Sequence, residues 1–422
     1  RQDAVTLPSI LKQRGYQTSL IGKWHLGLEP ENHPCRRGFD HFHGFLGDMM
    51  DDYYHHRRHG INYMRKNAET IDPKGHATEL FSEWAVDYLQ SASKRKDGRP
   101  FFLYLAYNAP HTPIQPPQEW VARVLKREPK IDRRRAKLVA LIEHMDDGIG
   151  KVLSALRSNG QAKNTLVIFT SDHGESLGDH GLLYKGCRFY EGLVRVPLIF
   201  RWPGHVQAGV QSDALVELLD KTSTIVDVAG AGGLEQLQGR SLLPLLCGQV
   251  SPEFHRDFVR SEYYDALDSS FIGSGSPDTP TAAEVSGETS SEGTFGTMYR
   301  DRRYKLVVYH GHEIGELFDL ETDPWEFENL WDDPASAEVK SRLLRASFDA
   351  SIRATDLEAD VRFLAGDGMR GRLTNTDGNR QAAEFISSRF ARFGLSAVGS
   401  NGTHFHHFDL MTTQLGDRSE EH

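Results

Sequence analysis

Lys23 with His25, His111, Asp172 with His173, and Lys185 are the residues whose types and order could do chemistry together. The first five sit in polar stretches directly after a short strand-like segment at 17–21, an apolar run at 101–107 and a buried-type strand at 165–170. Lysine holds an anion as a point charge, while neutral imidazole ligates a metal or moves a proton. A carboxylate beside an imidazole, completed by oxygen ligands from elsewhere, suits a hard ion such as Ca2+ or Mg2+ better than zinc. If they converge, these groups would bind a tetrahedral dianion and stabilise charge on its leaving oxygen. Each also has a plainer reading. A lone lysine after a strand is a solvated loop charge. His41, His43, His55, His56 and His59 read as surface or substrate-rim residues, and Asp51-Asp52 and Asp146-Asp147 as solvated pairs.

The elements that would position these residues follow from periodicity. Residues 3–14, 78–92, 134–158 and 216–229 carry helical spacing, the third with Leu138, Leu141, Ile142, Met145, Ile149, Val152, Leu153 and Leu156 on one stripe. Strands are expected at 17–21, 101–107, 165–170 and 196–201, the apolar runs reading as strands buried on both faces. The alternation predicts an α/β fold, a mainly parallel sheet flanked by helices, with ligands at the carboxyl edge of the strands. A smaller antiparallel C-terminal subdomain is expected from 297–309 and 315–320, with a closing helix at 342–353. The Ser-, Gly-, Thr- and Pro-rich stretch 268–297 reads as a flexible excursion. The domains are therefore set at 1–230, 231–354 and 355–422.

Composition bounds the function. The 422 residues carry 49 Lys and Arg against 59 Asp and Glu, a net charge of −10, which argues against a nucleic-acid partner. The longest apolar run, 101–107, is too short to span a bilayer. Cys35, Cys187 and Cys247 lie far apart, so neither a disulfide framework nor a cysteine zinc site is expected.

The stretch Gly15-Tyr16-Gln17-Thr18-Ser19-Leu20-Ile21-Gly22-Lys23-Trp24-His25-Leu26-Gly27 resembles the second signature of the type I sulfatases, members of the alkaline-phosphatase-like superfamily. Asn108-Ala109-Pro110-His111-Thr112-Pro113 resembles their sulfate-contacting histidine loop, and Ser171-Asp172-His173-Gly174-Glu175 their metal loop. Leu177-Gly178-Asp179-His180-Gly181 with Lys185 resembles the segment that follows, and Val196-Pro197-Leu198-Ile199 the next strand. Tyr304-Lys305-Leu306 and Glu316-Leu317-Phe318-Asp319-Leu320, with Asp323-Pro324 and Asn329-Leu330, resemble the C-terminal subdomain. The matches keep the family's order over roughly residues 1–350. The resemblance implies that Lys23, His111 and Lys185 grip the sulfate oxygens, the last two near the leaving group. It implies that His25 hydrogen-bonds the nucleophile, and that Asp172 and His173 ligate Ca2+ or Mg2+. His173 stands where many sulfatases have asparagine, as in the iduronate-sulfatase, choline-sulfatase and phosphonate-monoesterase branches.

Two departures qualify the likeness. The family nucleophile is a formylglycine made from Cys or Ser within C/S-x-P-S-R, and none of the three cysteines, nor any serine, has that context. The paired aspartates that complete the family's metal site have no counterpart before Gln17. The expectation is a sulfatase lacking its N-terminal part, inactive alone, whose complete form needs a formylglycine-generating enzyme and takes a small-molecule or carbohydrate sulfate ester. Two alternatives stand beside it: a phosphonate or phosphate monoester hydrolase of the same superfamily, and a catalytically dead anion- or glycan-binding protein. By analogy with exported relatives, a periplasmic or extracellular location is expected over a cytoplasmic one. The tail resembles something else. Leu357-Glu358-Ala359-Asp360-Val361-Arg362-Phe363-Leu364-Ala365, Gly371-Arg372-Leu373-Thr374 and Gly378-Asn379-Arg380-Gln381-Ala382-Ala383 resemble the start of di-zinc aminopeptidases, ahead of that family's zinc ligands.

Overall fold

The computed structural model describes residues 4–182, 184–232, 237–264, 295–310 and 314–351. The expected excursion, up to residue 294, and the aminopeptidase-like segment lie outside them. The chain divides into two compact units, one of Arg1–Thr170 with Pro197–His255, the other of Ser171–Val196 with the chain from Arg256 onward.

The first unit opens with α1 (Leu7–Gln13) and β1 (Gln17–Lys23). Next come β2 (His41–Phe45), the short β3 (Arg57–Arg58) and β4 (Ile61–Asn62), then β5 (Met64–Lys66) and β6 (Glu69–Thr70). A helix α2 (Ala77–Ser93) leads to β7 (Phe101–Ala106), then α3 (Gln118–Arg127), α4 (Arg133–Ser158) and β8 (Val167–Thr170). After α5 (Glu191–Val194), which belongs to the second unit, the first resumes with β9 (Leu198–Arg201), α6 (Leu218–Val228) and α7 (Leu243–Leu246).

The main sheet runs β6-β5-β2-β1-β7. Its heart is parallel, β2 and β7 flanking β1, and β5 and β6 are added antiparallel. β1 is buried along its length because both its faces are covered, polar Thr18 and Ser19 included. Ile21 joins a core with Phe81, Leu89 and Leu141 of α2 and α4, while Leu20 packs on the other face with Phe39, Phe42 and Leu46.

Two expectations fail here. β8 and β9 pair antiparallel with each other, apart from the main sheet, and Phe169 and Ile199 are exposed. A two-stranded ribbon has too few neighbours to cover both faces. β7 is the last strand in its sheet, and its Tyr104 is exposed rather than buried. In α4 the expected stripe faces inward, with Leu141, Val152 and Leu156 buried and only Ile142 exposed, and Ala136, Ala140, His144, Gly148 and Ala155 are buried beside it. Small residues set that face because α2 comes close: a Cβ on Gly148 would stand 2.3 Å from the Ser82 hydroxyl oxygen. Asp146 and Asp147 are exposed as expected, the latter paired with Lys151 at 3.0 Å.

The second unit is built on an antiparallel meander of β10 (Val259–Tyr264), β11 (Phe295–Arg300), β12 (Tyr304–His310) and β13 (Gly315–Asp319). Alternation along β12 serves two layers. Leu306 packs with Leu317 and with Leu343 of α8 (Ala337–Ser351), whereas Val307 packs with Cys187 and Phe189 of the loop before α5. Lys305 on β12 is fully buried. Its ammonium donates to the Phe189 carbonyl at 2.9 Å and lies 2.6 Å from Glu191 and 2.7 Å from Glu326. Glu326 in turn accepts from the Glu191 backbone N–H at 2.7 Å. Burial alone would raise the Glu191 pKa, but Lys305 overrides it and holds the carboxyl below its usual range.

Candidate active site

Lys23, His25 and His111 belong to the first unit; Asp172, His173 and Lys185 belong to the second. Within the first unit the sheet register brings two loops to one edge. Gly22 lies between Gly44 of β2 and Ala106 of β7, so Lys23 and the segment leading to His111 leave neighbouring parallel strands at their carboxyl ends. Small residues make this row possible. A Cβ on Gly22 would fall 1.9 Å from the Ala106 carbonyl oxygen, and one on Gly44 1.9 Å from the Gly22 carbonyl oxygen. Beyond the strand, Trp24 and His25 donate their N–H groups to Phe45 and Leu46. His25 is exposed and adopts φ +54°, a left-handed conformation that costs a non-glycine residue about 1 kcal/mol.

The His111 loop is held by groups distant in sequence. The Tyr53 hydroxyl donates to the His111 carbonyl at 2.9 Å, the Tyr53 N–H donates to Gln115, and the Gln115 amide donates to Asp52 at 2.7 Å. Partial burial alone would raise the Asp52 pKa, but hydrogen bonds from Gln115, from the His55 and Tyr54 N–H groups and from the His55 ring lower it to about 2. Tyr53 is buried, which pushes its phenol pKa up and keeps it a hydroxyl donor. His111 Nδ1 donates to the Thr112 carbonyl at 2.9 Å, so Nε2 carries a proton only in the imidazolium form.

The second unit's loop is closed on itself. The Gly174 N–H donates to the Leu193 carbonyl at 2.8 Å and the Glu175 N–H to Gly192. A Cβ on Gly174 would strike the Gly192 oxygen at 1.8 Å, so this approach needs glycine. His173 Nδ1 donates to the Gly174 carbonyl at 2.8 Å, which leaves Nε2 as the acceptor from Lys185 Nζ at 3.0 Å. An Asp172 carboxylate oxygen lies 3.5 Å from the same Nε2. That spacing lets one cation touch both, but two ligands fall short of the six to eight oxygens Ca2+ takes. Among the described residues no group of three or more His, Cys, Asp or Glu is arranged to hold a metal. Asp172 and His173 thus fit part of a metal shell.

The histidine-rich stretch departs from its surface reading. His55 and His59 are exposed, but His56 is fully buried, and His41 and His43 on β2 stack on Tyr88 and Trp84. Asp52 is a structural acceptor rather than a solvated charge. Tyr53, Gln115 and Asp52 are the supporting residues that spacing did not reveal. Tyr53 and His111 are 58 positions apart, and no local pattern signals their contact.

A family model described as Sulfatase matches residues 1–231. The chain is 29% identical over 354 residues to the N-acetylgalactosamine-6-sulfatase of Mus musculus, covering 76% of this chain and 66% of that protein. It is 24% identical over 450 residues to the N-acetylglucosamine-6-O-sulfatase of Bacteroides thetaiotaomicron, covering 85% and 74%. The crystal structure of Ps i-CgsB in complex with k-i-k-neocarrahexaose matches with TM-score 0.66 and 27% identity, over 83% of this chain and 75% of that one. The chain spans between about half and two thirds of the length of the first curated relatives, 48% for the rat protein and 66% for the mouse protein. The helix-flanked mixed sheet, the separate antiparallel sheet and a family match over more than half the residues agree, and the chain belongs to the sulfatase family.

Proposed function

We propose that this chain carries the anion-binding machinery of a hydrolase acting on sulfate monoesters of carbohydrates. The observation that carries the reading is the juxtaposition, across one Gly44–Gly22–Ala106 row, of the Lys23 and His111 loops at the carboxyl edge of parallel strands in a chain of this family. Lys23 and Lys185 supply point charges to the sulfate oxygens. His111, with Nδ1 committed to a carbonyl, donates from Nε2 when protonated, which suits protonation of the departing alcohol oxygen. His25 would hydrogen-bond the nucleophile. Asp172 and His173 would hold a divalent cation, Ca2+ or Mg2+, jointly with further ligands, and that cation would screen the dianion's charge. The family nucleophile, formylglycine, supplies the attacking oxygen; its C/S-x-P-S-R motif is not among these 422 residues, so the reading assigns this chain grip rather than nucleophile.

The test compares this chain with a form that also carries the motif, each co-expressed with a formylglycine-generating enzyme and supplied with calcium. Aryl sulfate and aryl phosphonate are assayed side by side. The expected outcome is no sulfate turnover by the 422 residues alone, and turnover favouring sulfate in the longer form. Preference for phosphonate would move the assignment to the phosphonate monoester hydrolases. Silence on both esters despite confirmed formylglycine would move it to a binding protein.

A further inference from the structure

Charge is unevenly spread over the first unit. The whole chain carries −10, yet between Arg123 and Lys137 eight Lys and Arg stand against two acidic residues, Glu128 and Asp132. All eight are exposed, on the corner where α3 gives way to α4. The hairpin displaying them is packed by Val124, Ala136 and Ala140 on its inner side. Arg127 is ion-paired, with Glu143 at 2.6 Å. Among the described residues Lys126, Lys130, Arg133, Arg134 and Arg135 make no ion pair. Asp132 is already engaged, its carboxylate accepting from the N–H groups of Arg134 and Arg135 at 2.9 and 3.1 Å.

Three of these arginines fill the first turn of α4, which holds no acidic residue. The helix macrodipole makes that end positive, so cations there reduce helix stability. An anion bound at these exposed charges, which oppose their own helix and make no ion pair among the described residues, would relieve that cost.

We propose that this corner binds a linear polyanion, namely the sulfated polysaccharide whose esters the site would cleave; the inference rests on the sulfatase reading. A sulfated glycan repeats anionic groups along its length, and binding to a row of cations releases its counterions. Arginine's planar fork matches an oxyanion with two parallel hydrogen bonds. The net negative charge of the molecule disfavours polyanion binding elsewhere, which gives the corner its selectivity. Nucleic acid fits less well. The one aromatic residue between Gln118 and Lys137, Trp120, is half-buried under the Arg123 guanidinium at 4.2 Å, so no base-stacking platform accompanies the charges.

The test titrates the 422-residue chain with dextran sulfate, unsulfated dextran and duplex DNA, at low and physiological salt. The expected result is salt-dependent binding of dextran sulfate, none of dextran, and weaker binding of DNA. The triple variant Arg133→Glu, Arg134→Glu, Arg135→Glu should weaken dextran sulfate binding by about tenfold or more. Its thermal midpoint should stay equal or rise, since glutamates suit the first turn of a helix. Lys126→Gln with Lys130→Gln repeats the test without touching α4. Lys74→Glu, Lys94→Glu, Lys96→Glu makes the same charge change elsewhere and should weaken binding far less. Unchanged affinity in the arginine variant, equal loss in the control, or DNA bound as tightly as dextran sulfate at physiological salt would overturn the proposal. Corner-dependent binding with no aryl sulfate turnover by the motif-bearing form would leave the polyanion site standing and remove the sulfatase reading. Absent corner dependence with intact turnover would do the reverse.

Discussion

His43 on β2 stacks face to face on Trp84 of α2, ring centroids 3.5 Å apart. Burial, then the neighbouring His41 and Lys66, lowers its pKa to about 3. His76, almost fully buried at the start of α2, is lowered to about 4, again chiefly by burial. Both lie below the unfolded value of about 6.5. As pH falls, the unfolded chain therefore takes up these protons first. Their stabilisation is complete above about pH 6.5 and is lost as pH falls toward the folded values, at about 1.4 kcal/mol per group per pH unit. The urea midpoint should accordingly drop between pH 7 and pH 5. His43→Phe keeps the ring stack and should flatten that slope while leaving the pH 7 midpoint nearly unchanged. A slope identical in the variant would show that His43 titrates freely. The sequence did not disclose this burial, because the covering rings, Tyr88 and Trp84, come from a helix more than 40 positions away. Lys305 teaches the same lesson: a lysine within a strand reads as a solvent-facing position, yet here two carboxylates and a carbonyl receive it in the interior.

At the scale of elements, β1 and β7 and the C-terminal strands β11 to β13 were legible from short apolar or alternating segments, whereas β2, in a histidine- and glycine-rich stretch without clear periodicity, and β10 were not among the expected strands. What periodicity could not report is which strand sits at an edge, or where small residues permit close approach. Hence Tyr104 is exposed, and Ala140, His144 and Gly148 join Leu141, Val152 and Leu156 on the buried face of α4. The Gly44–Gly22–Ala106 row is the sharpest case. Gly22 has φ +114° and no room for a Cβ, and it directly precedes Lys23. Gly22→Ala would force β1 and β7 apart at the edge that carries both the Lys23 and His111 loops. We expect a loss of roughly 3 kcal/mol in unfolding free energy, measured by urea titration. A loss below about 1 kcal/mol would show that the strands yield easily.

For the whole molecule, the six candidate residues were proposed from the sequence because the resemblance supplied them in order. Their supports could not be, since Tyr53, Gln115 and Asp52 reach His111 only through the fold. The central proposal is that Lys23 and His111, on loops leaving neighbouring strands, act on one sulfate dianion. Its most direct test needs no nucleophile: the affinity of the 422-residue chain for inorganic sulfate, measured calorimetrically with calcium present. Lys23→Ala and His111→Ala should each weaken binding by about tenfold or more, as expected for loss of a charged hydrogen bond to the anion. Sulfate affinity unchanged by either substitution would contradict a shared grip.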